Sequence, residues 1–164
     1  MENTPLNISE KTSPKDVFLH LLAIITLYVA AGGLITLLFQ YVNVFFPDSL
    51  VDGYYSIQSA YGAIRWAIST LIIVFPVYVL TSWFLNKGFV TNPSKRNLRI
   101  RKWLIYFTLF VAAVVIIGDL VTLIYNLLGG ELTIRFFLKI LTVLAVSGSV
   151  FSYYFWDVRK HKTE

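Results

Sequence analysis

The sequence predicts an all-α polytopic membrane protein, a four-helix transmembrane bundle. Three observations carry that reading. Hydrophobic residues make up 57% of the 164-residue chain and charged residues 14%, with a mean hydropathy of +0.68. A soluble domain carries about 25% charged residues, so this chain cannot cover its own surface with polar groups. The apolar residues fall in four continuous runs, each long enough to cross a bilayer as a helix of roughly 20 residues. Finally, the runs lack the alternation over about 10 residues that marks a barrel strand, and lipid leaves only helices and closed barrels as spanning structures. The same composition excludes intrinsic disorder.

The predicted organisation is a polar tail over residues 1–16, a transmembrane domain over 17–156 and a second tail over 157–164. The N-terminal tail lacks the basic start and short apolar core of a secretory signal, so the first span is expected to be retained. That span covers about 17–46. Ser13 is placed to cap it, Pro14 fits the first helical position and Asp16 suits the positive helix end. From Pro14 to Phe46 is 33 residues, or about 50 Å of helix, longer than the hydrocarbon core, so it should tilt or project. Pro47 and Asp48 mark its exit. The second span, about 57–85, contains Pro76, which is expected to kink it. A polar loop follows, in which Ser94 is placed to cap a helix running into the third span, about 103–128. Gly129 and Gly130 supply a tight turn into the fourth span, about 132–156.

Charge orients the bundle. Lys11 and Lys15 in the first tail, Lys87, Lys95, Arg96, Arg99, Arg101 and Lys102 around the middle loop, and Arg159, Lys160 and Lys162 at the end account for 11 of the 14 basic residues. The other two loops hold only Asp48, Asp52 and Glu131. Basic loops stay cytoplasmic, so both termini are expected inside a cytoplasmic membrane. Trp83, Trp103 and Trp156 then fall at inner ends, and Tyr54, Tyr55 and Tyr125 near outer ends, as interfacial belts do. The sequon at Asn7 would lie in the cytoplasm and is read as chance. The six basic residues of the middle loop read as contacts to anionic lipid. No folded reader or aromatic platform for nucleic acid is visible.

The two halves resemble each other. At an offset of 82, Thr26–Ala31 lies on Thr108–Ala113, and at an offset of 73, Val77, Trp83 and Lys87 lie on Val150, Trp156 and Lys160. Both hairpins start inside, so this is the pattern of a parallel repeat about an axis along the membrane normal. Apolar helices also resemble one another through composition alone, and that alternative stays open.

Few groups in the spans carry chemistry. With no cysteine and only two histidines, His20 and His161, neither a disulfide framework nor a metal site is expected. No Walker loop or dinucleotide fingerprint is present, and no cofactor is expected. Arg65, Asp119, Arg135 and Lys139 are charges within the spans, where they are costly and usually face protein or water. Arg65 lies 8 residues after Ile57 and Asp119 lies 9 before Leu128, at matching depths of about 12 and 13 Å. An Arg65–Asp119 ion pair is the expected arrangement. Lys139 either reaches the same layer or snorkels outward, and Arg135, one turn above it, snorkels. The cluster reads either as a packing pair or as a polar outer-half cavity favouring an anionic ligand such as a lipid head group, with a conducting path as a further reading. Small residues (Ala30–Gly33, Ala60, Ala63, Ala67, Ser147–Ser149) read as packing notches. A hydrolase would need a base beside Ser147 or Ser149, and His20 is the available candidate. His20 as a haem ligand would need a second histidine from another copy.

The run SPKDVF leading into the first span, Arg65-Trp66, Asp119 and the terminal FWDVRK resemble a family of small bacterial four-helix integral membrane domains of unknown function. The resemblance covers about 13–160 and implies a bacterial cytoplasmic membrane setting and no activity. The expected function is a non-enzymatic binding or accessory subunit whose polar outer layer engages a partner or anionic lipid, either as a homo-oligomer or with another membrane protein. A small oligomeric transporter or channel is the alternative, and an intramembrane enzyme the third reading.

Overall fold

The computed structural model describes residues 13–47, 54–130 and 132–160. The sequon at Asn7, Lys11, Asp48, Asp52, Glu131, His161 and Lys162 lie outside the described residues, as do the side chains of Tyr54, Tyr55 and Arg96. Four long helices follow one another: α1 (Pro14–Phe45), α2 (Tyr54–Thr91), α3 (Arg99–Gly129) and α4 (Ile134–Lys160). All four are long and apolar enough to cross a membrane. At 38 residues, α2 is about 57 Å long, well beyond a hydrocarbon core of about 30 Å.

The ends follow local chemistry. Ser13 is the extended N-cap residue of α1 and Pro14 its first helical residue. The Ser13 hydroxyl makes no capping bond; its carbonyl accepts instead from the Asp16 and Val17 amides, at 2.9 and 3.1 Å. Thr133 does cap with its side chain, Oγ1 accepting from the Phe136 amide at 3.1 Å at the start of α4. Gly130 ends α3 at φ 72°, a left-handed conformation that glycine adopts without penalty. The polar loop is shorter than expected, because α2 runs on past Leu85 to Thr91 and α3 starts at Arg99. Between them Pro93–Asn97 form a 3-10 turn. Ser94 sits inside that turn and donates to Asn92 Oδ1 at 2.6 Å, so it caps nothing, and Leu98 precedes α3 instead. α2 continues as one helix through Pro76.

The helices pack as two hairpins, α1 on α2 and α3 on α4. α1 joins them by packing on α4 and, less extensively, on α3, while the α2 and α3 backbones stay apart and the two helices meet through side chains at the basic end, Arg101 lying over Phe89. Small buried residues allow these approaches: Ala23, Ala30 and Gly33 on α1, and Ala60 and Ala67 on α2. Gly33 faces Leu71 and Thr70 of α2. Ala31, Gly32 and Ala63 from the same runs are not buried. Most large apolar side chains lie on the outside, as expected where lipid is the solvent and apolar burial does not drive packing.

Some buried positions of the two halves coincide at the offsets read from sequence, while others, such as buried His20 and Ile24 against exposed Lys102 and Tyr106, do not. Buried Ala23, Thr26 and Ala30 on α1 correspond to buried Ile105, Thr108 and Ala112 on α3. Both threonines donate to the carbonyl four residues back, Thr26 to Leu22 at 2.7 Å and Thr108 to Leu104 at 2.9 Å. Buried Ala67 on α2 corresponds to buried Ile140 on α4. Lys87 lies 5.2 Å over Trp83, and its counterpart Lys160 lies 5.0 Å over Trp156.

Candidate functional site

At the basic end of the molecule all four helices contribute to one polar cavity of about 100 Å³. α1 brings His20, α2 brings Tyr78, Ser82 and Asn86, α3 brings Arg101, and α4 brings Tyr153, Tyr154 and Asp157. The placement follows helical periodicity. Asp16, His20, Ala23 and Ile24 share the buried face of α1, and Arg101 continues the buried face of Leu104, Ile105, Thr108 and Ala112.

His20 is the central group. Only 6% of it is exposed. Its Nδ1 lies 2.7 Å from the Asp16 carbonyl oxygen. A carbonyl only accepts, so Nδ1 carries the proton, and whenever the ring is neutral Nε2 holds the lone pair. That Nε2 is buried and has no hydrogen-bond partner. The ring is steadied by Phe89, 6.0 Å away between centroids. A buried acceptor left open is costly unless something donates to it.

The charges around the cavity are balanced. Arg101 Nη2 donates to Asp157 Oδ2 at 2.7 Å, tying α3 to α4, and its guanidinium lies 5.0 Å over the Phe89 ring of α2. Lys95 Nζ donates to Asp16 Oδ1 at 3.1 Å, closing the polar loop onto α1. Beyond His20 a second pocket of about 390 Å³ opens between α1, α2 and the 3-10 turn. Deeper in the spans, an apolar groove of about 860 Å³ runs over α1 between α2 and α4, and Tyr78 lines both this groove and the polar cavity.

The residues singled out from sequence are distributed differently from that expectation. Arg65 on α2 is exposed, and Asp119 on α3 is half-buried with Oδ2 enclosed and unpartnered. No ion pair joins the two among the described residues, because the α2 and α3 backbones do not approach each other. Arg135 turns inward rather than snorkelling. Its Nε and Nη2 donate to Asn43 Oδ1 of α1, at 3.0 and 2.9 Å, and Asn43 Nδ2 donates to Gln40 Oε1 at 2.9 Å. Lys139 Nζ lies 5.6 Å over the Phe39 ring. These two basic residues fasten α4 to α1 at the end opposite the cavity. Of the residues expected to meet anionic lipid, Lys87, Arg99 and Lys102 are exposed, whereas Lys95 and Arg101 are engaged in the ion pairs above. Ser149 lines the apolar groove and donates to the Ala145 carbonyl at 2.6 Å; neither it nor Ser147 lines the His20 cavity. Sequence reasoning missed Tyr78, Asn86, Tyr153, Tyr154 and Asp157, which become a site only once four helix faces converge.

A four-helix, two-hairpin domain of unassigned activity matches one family model, over residues 16–154. The chain belongs to the DUF5671 family, a domain of unknown function. None of the curated proteins and none of the solved structures matches it. The matched region of this DUF5671 domain spans nearly all of the four helices and includes His20, Arg101 and Tyr154, while Asp157 lies just beyond it.

Proposed function

We propose that this multi-pass membrane protein is a non-enzymatic binding protein of the bacterial cytoplasmic membrane. Its polar head site is the His20 cavity, and its occupant is an uncharged amphipathic molecule with a hydroxyl or amide donor. One observation supports the reading: a buried imidazole, bonded through Nδ1 to its own helix and with no partner at Nε2, is among the residues that line a cavity built by four helices. A donor group on the ligand completes His20 Nε2, and Asn86 and Tyr153 line the same cavity for its other polar atoms, while Tyr78 and Tyr154 are hydrogen-bonded to each other. The Arg101–Asp157 pair cancels the charge at the cavity wall, which favours a neutral head over an anionic one. The groove beyond Tyr78 is long and apolar enough for an attached chain.

The basic end is cytoplasmic in this reading, with both termini inside. Lys87, Arg99 and Lys102 then lie at the depth of anionic head groups and hold the domain at the inner leaflet. The test is native mass spectrometry of the full chain released gently from membranes, wild type beside His20→Ala. A neutral lipid adduct present in the wild type and lost in the variant supports the proposal. An identical set of adducts in both sinks it.

A further inference from the structure

The His20 cavity and the apolar groove are lined by the same three helix faces. On α1 the cavity takes His20 and Ala23, and the groove takes Leu27, Ala31, Leu34 and Leu38. These positions are three or four residues apart, so they form one stripe along the helix. α2 continues in the same way from Ser82 through Tyr78 to Phe75, and α4 from Tyr154 through Val150 to Val146. Tyr78 lines both spaces. Cavity and groove are therefore two stretches of one track, polar at the basic end and apolar beyond.

The length of the track selects its occupant. Leu38 lies 18 residues after His20, about 27 Å along α1. A hydrocarbon core is about 30 Å thick, so one leaflet accounts for about 15 Å. A tail that starts at His20 and follows the groove to its end crosses the midplane and nearly spans the core.

The width narrows the choice further. Where the cavity meets the groove, Tyr78 of α2 and Tyr154 of α4 are hydrogen-bonded to each other, so the neck is narrow and suits one chain rather than two. Past the neck, about 860 Å³ spread over about 16 Å from Leu27 to Leu38 leaves a section of about 50 Å². That is more than twice what an unbranched chain needs when its carbons meet at about 4 Å. It is less than the section of a helix about 10 Å across. We infer that the occupant is a hydroxyl-headed polyisoprenoid, a single long tail carrying a methyl branch on every fourth chain carbon. The inference rests on the neutral-head reading of the His20 cavity and adds the class of the tail.

The test titrates the full chain, purified in detergent, with defined lipids and reads binding by native mass spectrometry. Each isoprene unit adds four carbon–carbon bonds of about 1.5 Å, at most about 5 Å of tail, so about six units fill the track. Binding is expected to tighten by about tenfold from farnesol, with three units, to hexaprenol, with six. Tetracosan-1-ol has as many chain carbons as hexaprenol but no branches, and dioleoylglycerol has two chains; each should bind about tenfold more weakly than hexaprenol. The same six-unit tail on a hydroquinone ring separates an aromatic from an alkyl hydroxyl head, and hexaprenol-like strength from either supports the inference. Leu34→Trp fills the groove about 21 Å from His20. It should bring hexaprenol down to the level of farnesol and leave farnesol unchanged. The inference is overturned if hexaprenol binds no tighter than farnesol, if tetracosan-1-ol or dioleoylglycerol matches it, or if Leu34→Trp leaves it unaffected. In those cases His20→Ala separates the two readings: equal weakening of every probe keeps the His20 head site, and no weakening removes it as well. If Leu34→Trp fails to accumulate, the chain-length series on the unaltered protein decides alone.

Discussion

Arg101 shows how one side chain changes meaning between sequence and fold. In sequence it is one of six basic residues around a loop, and such runs ordinarily meet lipid head groups. In the structure its side chain is only 13% exposed, bonded to Asp157 at 2.7 Å and laid over Phe89. The signal that distinguishes it was present: Arg101, Leu104, Ile105, Thr108 and Ala112 follow the spacing of one helix face, whereas Arg99 and Lys102 fall off it. Breaking a buried pair leaves the other charge stranded, which typically costs at least 3 kcal/mol, while replacing both partners with apolar groups costs far less. Arg101→Ala is therefore expected to lower stability by about 3 kcal/mol, read as the midpoint of denaturant unfolding in micelles. Arg101→Leu/Asp157→Leu should recover most of that loss. If the double variant is as unstable as the single, the pair is not the source of the effect.

At the scale of the elements, the helices were legible and their neighbours were not. Apolar runs, the Ser13-Pro14 start and the Gly129-Gly130 turn are local signals, because spanning helices close their backbone bonds within one segment. Which helix packs on which depends on faces that lipid leaves almost featureless. Equal depth therefore placed Arg65 beside Asp119 where the fold keeps their helix backbones apart. The polar contacts that do set helix order are few and small. Tyr28 on α1 donates to Thr108 Oγ1 on α3 at 3.0 Å, and Thr108 is almost fully buried. Interhelical bonds in membranes average about 0.6 kcal/mol, so Tyr28→Phe should cost about that much. Thr108→Val should cost about 1 kcal/mol or more, because it leaves the tyrosine hydroxyl without its acceptor. A steric test of the turn is Gly130→Ala. The left-handed φ of 72° should make it cost about 1 kcal/mol, whereas Gly32→Ala, which meets no atom, should be neutral or stabilising. Equal effects of the two substitutions on the unfolding midpoint would show that α3 ends without needing the glycine.

For the whole molecule, the distribution of charge determines how the domain sits in its membrane. Net charge is +5, but its placement matters more than its sum. The described loop and tail residues that carry Lys and Arg cluster at the end that also holds the His20 cavity, so orientation decides which compartment supplies the ligand. Lys and Arg within short loops resist translocation, whereas Asp and Glu contribute little. The opposite loops hold no basic residue, so nothing competes with the basic end. Single cysteines at Asn97, in the 3-10 turn, and at Leu132, just before α4, sample the two ends. A membrane-impermeant maleimide applied to intact cells should modify Leu132→Cys and reach Asn97→Cys only after lysis. Neutralising Arg99 and Lys102 together should leave that pattern unchanged, because the remaining basic residues still lie on one side. The reverse labelling pattern would place the His20 cavity on the external face, and any ligand would then have to come from the outer leaflet.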